Sequence, residues 1–149
     1  MLVPPRKGLR LSASRSFAAY LSILEMGEPY VATVRIVGTA IVNRTHIDNT
    51  GKNWFDLYPP DAKEPIWAAF RKILDTPQGS LVFATEEYQR SIAIEVLTFP
   101  FADEDGIAQF VVSTTTEIDI DDLILRGENP MRTGQMMSEH KIDIGAGTA

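Results

Sequence analysis

The sequence predicts an α+β domain, a five-stranded antiparallel sheet with helices packed on one face. Three observations predict it. Two alternating apolar segments precede a helical stretch, and three more follow it. The acidic glycine turn Asp103-Glu104-Asp105-Gly106 marks a hairpin between the last two. The composition is that of an ordinary globular chain, 44% hydrophobic and 23% charged over 149 residues, which suits one domain with a real core. The first 16 residues read as an arm, 17–118 as the domain and 119–149 as an extension with a mobile end.

Pro4, Pro5 and Gly8 make the arm irregular. A short helix from Arg15, capped by Ser12 or Ser14, competes with a strand over 17–25. In FAAYLSIL, Phe17, Tyr20 and Leu24 recur at helical spacing, while Leu21 and Ile23 fit alternation. The turn signal at 25–29 and the β-branched segment 30–37 favour a hairpin, and so the strand. In that second strand Val31, Thr33, Arg35 and Val37 share one face, and Ala32, Val34 and Ile36 the other. Pro59 and Pro60 then stop an irregular helical stretch at 39–58. A helix opens at Pro60 or Asp61, where proline and acid suit the first turn. Its apolar stripe is Ile66, Phe70 and Ile73 or Leu74, with Arg71, Lys72 and Asp75 facing out. Thr76-Pro77-Gln78-Gly79 ends it. Strands follow at 80–88, 91–101 and 107–118, with Pro100 at a strand end or edge. A short helix is expected after Ile118, closed by Gly127.

The run Val37–Leu57, VGTAIVNRTHIDNTGKNWFDL, is the most informative. A strand stops at Gly38, short helices follow, and the run turns at 48–51 before the aromatic pair Trp54-Phe55. Such a run builds a pocket wall. Asp48 can accept from a backbone N–H two residues on, Gly51 can take positive φ, and Gly38 suits a close backbone approach. Asp48, Thr50, Gly51 and Gly38 are therefore read as structural. Gly38-Thr39, Asp48-x-Thr50-Gly51 and Phe55-Asp56-Leu57 resemble the middle of a PAS domain. Leu97-Thr98-Phe99-Pro100-Phe101 before the acidic turn resembles its end. The chain is similar to the single-domain PAS proteins common in alphaproteobacteria, a group of unassigned function, over residues 17–118. Many of these carry Gly-Arg just before the Asp, where this chain has His46-Ile47. The resemblance implies a sensor or relay that does not catalyse.

The chemistry legible in the residues is sparse. With no cysteine there is no disulfide, thiolate nucleophile or cysteine-held metal. No phosphate loop or nucleophile elbow appears. His46 and His140 lack the spacing of a metal pair, so no metal is expected. Haem-binding PAS domains commonly place a histidine on the long helix, and residues 61–75 have none. A photoactive flavin adduct needs a cysteine. The cofactor, if any, is left unidentified. Glu86 and Glu87, adjacent on a strand, point to opposite faces. Glu95 is the one mid-strand acid among apolar neighbours and lies opposite Ile94 and Val96. The aromatic residues Trp54, Tyr58, Trp67, Phe70 and Tyr88 gather around the predicted helices. They either pack as core or line a small ligand pocket. Arg44 and His46 are added as candidate pocket residues, and Arg35 and Arg44 as anion contacts if they point inward.

The net charge of −6 argues against nucleic acid. No apolar run is long enough to span a membrane and no secretory signal precedes the domain, so the cytoplasm is expected. Arg6, Lys7, Arg10 and Arg15 stand at the head. Glu117, Asp119, Asp121 and Asp122 form an acidic stretch near the other end. The two either attract or are simply solvated. PAS domains often pair through the sheet and an N-terminal element. The resemblance therefore implies a homodimer, with Leu9, Leu11 and Phe17 as candidate contacts, and a signalling protein partner. The alternatives are a ligand-free interaction adaptor and, more remotely, an isomerase-like enzyme on a cone-shaped α+β fold.

Overall fold

The computed structural model describes residues 3–9, 15–87, 91–119 and 136–144. A short helix α1 (Arg15–Ala18) leads into strands β1 (Leu21–Met26) and β2 (Ala32–Val37). Helix α2 (Thr39–Thr45), a 3-10 turn (Trp54–Leu57) and helix α3 (Pro60–Asp75) follow. Strands β3 (Gly79–Glu87), β4 (Ser91–Ala102), β5 (Ala108–Ile118) and β6 (Met136–Ile142) complete the order. All six strands form one antiparallel sheet, ordered β2-β1-β5-β4-β3-β6.

The architecture is α+β with helices on one face of an antiparallel sheet, and it departs from the sequence reading in four places. The sheet has six strands, because residues 136–142 in the extension pair with β3. Phe17 belongs to α1, so the first strand begins at Leu21. The alternation of β2 breaks at a bulge. Ile36 pairs with Ile23 and Val34 with Leu24, leaving Arg35 as the extra residue. Beyond that bulge the faces exchange: Ile36 packs with Leu21 and Ile23, and Val37 packs with Leu24 and Phe55. Finally, Pro100 is fully buried and paired with Val111 in an interior strand, not at an edge. Its missing N–H is tolerated close to the end of that ladder. Leu11, Tyr88 and the helix expected after Ile118 lie outside the described residues.

Helix α3 begins on Pro59 and Pro60, with Asp61 in its first turn, and continues across Pro65. It buries Ile73 and Leu74 and lays Ile66, Trp67 and Phe70 on the sheet. Leu24, Met26, Ala32, Val34 and Val111 form the sheet side of this core. The opposite sheet face has its own cluster, Leu21, Ile23, Phe110 and Val112, with Leu9 of the arm packed against it. The arm is tied down by the backbone: the Ala102 N–H donates to the Pro4 carbonyl at 2.8 Å, and Pro5 makes a parallel bridge to Ala102.

Candidate functional site

The helix side of the sheet is sealed by aromatic rings. Phe55, fully buried, contacts Trp54 at 5.5 Å between centroids, Trp67 at 5.8 Å, Phe70 at 6.2 Å and Tyr30 at 6.3 Å. Trp54 also meets Tyr58 at 4.5 Å and Phe70 at 5.3 Å. Four sequence candidates, Trp54, Tyr58, Trp67 and Phe70, therefore stand together. Several ring pairs are edge-on or tilted, the arrangement the ring quadrupoles favour.

Two residues that the sequence reading overlooked organise this layer. Asn53 precedes the 3-10 turn. Its Oδ1 accepts from the N–H of Ala32 at 2.9 Å and of Phe55 at 3.2 Å, and its Nδ2 donates to the Tyr30 carbonyl at 2.9 Å. One amide thus joins the aromatic turn to the β1–β2 hairpin. Tyr30 has a left-handed backbone, φ 63°, which bulky residues seldom adopt. Its hydroxyl donates to Glu64 of α3, and that carboxylate raises the phenol above its ordinary pKa by favouring the bound proton.

A row of hydroxyl residues crosses the same sheet face. Ser22 pairs with Ser113, Ser113 with Thr98, and Thr98 with Ser80, spanning β1, β5, β4 and β3. Paired residues share a face, and Leu24 and Val111, two positions along, belong to the helix-side core. Ser80 and Thr98 are buried, as is Gln78 just before β3. The Thr98 and Ser113 hydroxyls are 3.0 Å apart and hydrogen-bonded. No motif announces this row. Its members are scattered over four strands, and only the register brings them together.

The remaining candidates lie around this layer. His46 caps the C-terminus of α2 with a left-handed backbone, φ 58°, donates its N–H to the Val42 carbonyl and is exposed. Arg44 is half-buried in the last turn of α2. Asp48 Oδ1 accepts from the Thr50 N–H at 3.1 Å and the Thr50 hydroxyl at 2.7 Å, which hold its carboxyl below the ordinary range. Gly51, φ 83°, donates to the Val34 carbonyl, and Lys52 accepts from the Val34 N–H. The turn thereby satisfies the outer edge of β2. At Gly38 a Cβ would stand 2.2 Å from the Ala19 carbonyl oxygen, so the close approach admits no side chain. Glu95 lies on the arm-side face, half-buried, paired with Phe83 and Thr116. His140 stacks edge-on against Phe83, far along the sequence from His46. No cluster of three or more potential metal ligands occurs among the described residues, and no helix there is long and apolar enough to cross a membrane.

The arm side is built differently. The arm, β1, β2 and the β4–β5 turn enclose an open groove of about 680 Å³. Ile23, Ile36 and Phe110 form its floor, and Leu9 its apolar wall. Arg35 belongs here: it faces away from the aromatic layer and pairs with Glu25. Phe17 is 40% exposed, and Leu9 is half-buried on the apolar cluster of this face.

No family model and no curated protein matches the chain. Solved structures do. A light-oxygen-voltage (LOV) domain studied with a flavin analogue superposes with a TM-score of 0.58 at 13% identity, over 78% of this chain and 91% of that one. The PAS domain of Bordetella pertussis BvgS gives 0.55 at 13% identity, over 78% and 92%. An RNA-binding light-oxygen-voltage receptor gives 0.55 at 12% identity, over 76% of this chain and 34% of its own. Helices on one face of an antiparallel sheet, followed over three quarters of the chain by domains of these two kinds, give this protein the PAS/LOV fold.

Proposed function

We propose that the chain is a PAS-fold sensory or signalling module similar to the alphaproteobacterial PAS proteins, acting through protein–protein contact and without catalysis. The observation that carries this reading is the fold, shared with sensory PAS and LOV domains over about three quarters of the chain. The candidate ligand site is the helix side of the sheet. Trp54, Tyr58, Trp67 and Phe70 form its wall, and the buried hydroxyls of Ser80 and Thr98 supply polar contacts on the sheet. Arg44 and His46 stay candidates at its edges, and Tyr88 stays a candidate outside the described residues. Any flavin held there would be non-covalent, since no cysteine exists to form an adduct.

The relay would run through the arm-side face to a signalling protein or to a second copy, with Leu9, Leu11 and Phe17 at the contact. A cytoplasmic homodimer that does not bind nucleic acid suits the net charge of −6. A ligand would act only through different affinities for two arrangements of the chain.

The contacts among the rings of Trp54, Phe55, Trp67 and Phe70 favour a second reading, a ligand-free adaptor whose core is filled by its own side chains. Native mass spectrometry beside the denatured mass, with an absorption spectrum, separates the two. A non-covalent mass lost on denaturation, or absorbance beyond the protein's own, is the result expected of a sensor. A bare polypeptide mass in freshly purified protein, unchanged on adding flavin or haem, supports the adaptor. A stable monomer at high concentration in light scattering overturns the homodimer.

A further inference from the structure

We propose that the groove under the N-terminal arm binds a small amphipathic carboxylate, its head on Arg6 and Lys7 and its apolar body on Ile23, Ile36 and Phe110. The site is on the opposite side of the sheet from the aromatic layer, on the arm-side face to which the reading above gives the relay, and does not depend on that relay.

Size and surface come first. About 680 Å³ lies within the range of roughly 300–1,000 Å³ typical of small-ligand clefts. Ile23 is 1% exposed and Phe110 7%, so the floor is rigid and apolar. The roof is fixed as well. Val3 is buried, and the backbone bond from Ala102 to Pro4 fastens the start of the arm beside the groove.

The charges decide the ligand's sign. Six ionisable side chains line the groove, three of each kind. Three of them are already hydrogen-bonded. Glu25 accepts from Arg35 through Oε2 and from Gln109 through Oε1. Asp103 Oδ1 accepts from the N–H groups of Asp105 and Ile107, holding the β4–β5 turn. The lining is balanced in total charge, since Asp103 keeps its own, but the two signs are segregated: Arg6 and Lys7 stand together on the arm, and Asp103 and Glu104 on the β4–β5 turn. The Arg6 guanidinium lies 4.9 Å from the Phe110 ring centroid. That cation–π contact holds the guanidinium over the floor, where its N–H fork can serve a carboxylate. Among the described residues no hydrogen bond occupies the side chain of Arg6 or Lys7. An anion at the arm with an apolar body on the floor is the occupant this distribution selects.

The test uses the full chain with ¹³C-labelled isoleucine methyls and decanoate below its micellar range. Saturable shifts are expected at Ile23 and Ile36, with Ile66 and Ile73 of α3 unmoved. Decylamine, with the same tail and the opposite charge, should bind at least about tenfold more weakly. The double variant Arg6→Gln, Lys7→Gln should weaken decanoate by a similar factor. Ile36→Trp should abolish binding while leaving both cations in place, which keeps the test valid if the double variant loosens the arm. The proposal is overturned by absence of saturation, by shifts centred on Ile66 and Ile73, by decylamine binding equally well, or by wild-type affinity in Ile36→Trp. Decyl phosphate binding tighter than decanoate would overturn the choice of a carboxylate head.

Discussion

Phe55 and Phe110 are the same residue on opposite faces of one sheet, and their surroundings differ in kind. Phe55 meets four other rings, is fully buried and is covered by α3. Phe110 has sheet neighbours on one side and, on the other, a guanidinium and an open groove. A helix of 16 residues covers the first face with side chains. The second is covered by an arm a few residues long, tied at one end. The first arrangement yields stability, and the second yields accessible surface. The two are separated by the thickness of a sheet.

The comparison is broken most directly by truncating each ring. Phe55→Ala should cost roughly 3–5 kcal/mol in urea unfolding, the range for emptying a closed aromatic site. Phe110→Ala should cost less, about 3 kcal/mol at the low end of that range, because water from the groove can fill the space. Equal losses would mean that the two faces are equally sealed. Asn53→Ala comes next, at about 1–3 kcal/mol, since it leaves the Ala32 and Phe55 N–H groups and the Tyr30 carbonyl without their partner. It should loosen the aromatic face alone, and methyl spectra of Ile23 and Ile36 should stay unchanged. Gly51→Ala should cost about 1 kcal/mol, read as a lowered Tm. Nothing lies within 4 Å of the added carbon, so the loss is purely one of backbone conformation.

The smallest effect concerns pH. Asp48 has its carboxyl lowered by the Thr50 hydroxyl first and the Thr50 N–H second. A group with a depressed folded value adds stability above its unfolded value, near 3.9, and loses it as pH falls through the lower folded one. Asp48→Asn should remove that acid-side slope by lowering the neutral plateau slightly, and leave stability at the acid end nearly unchanged.

Much of the frame was legible in the residues. Helix α3 begins and ends where its prolines and Thr76 place it, and β3 to β5 fall within a residue or so of their alternating runs. In these stretches local pattern and burial agree. The failures have physical causes. Strand β6 has no apolar alternation strong enough to announce it and forms by pairing with the β3 edge. The bulge at Arg35 is invisible because either register of YVATVRIV buries valines. Phe17 fits a helix or a strand, and the turn at 19–20 decides. The four aromatic candidates on the helix side could be gathered by their nearness to predicted helices. The hydroxyl row and the groove could not. One depends on the register of four strands, the other on an arm docking about 100 residues away along the chain.

The sheet order also dictates when the molecule can be completed. The β1–β2 hairpin forms locally, yet β1 lies beside β5, so Leu21 finds its partner Thr114 only after the 92 residues between them have been bridged. Until then one edge of the hairpin has open backbone groups, and Leu21 and Ile23 have no neighbours on that side. The β3–β4–β5 meander, whose widest pairing, Ala93 with Ile118, spans 25 positions, is the natural first structure, and the early hairpin and the arm dock onto it late. The groove is thus the last part of the molecule to exist. It should also be the first to vanish in mild denaturant, so the arm-side face is assembled and dismantled while the meander beside it still stands.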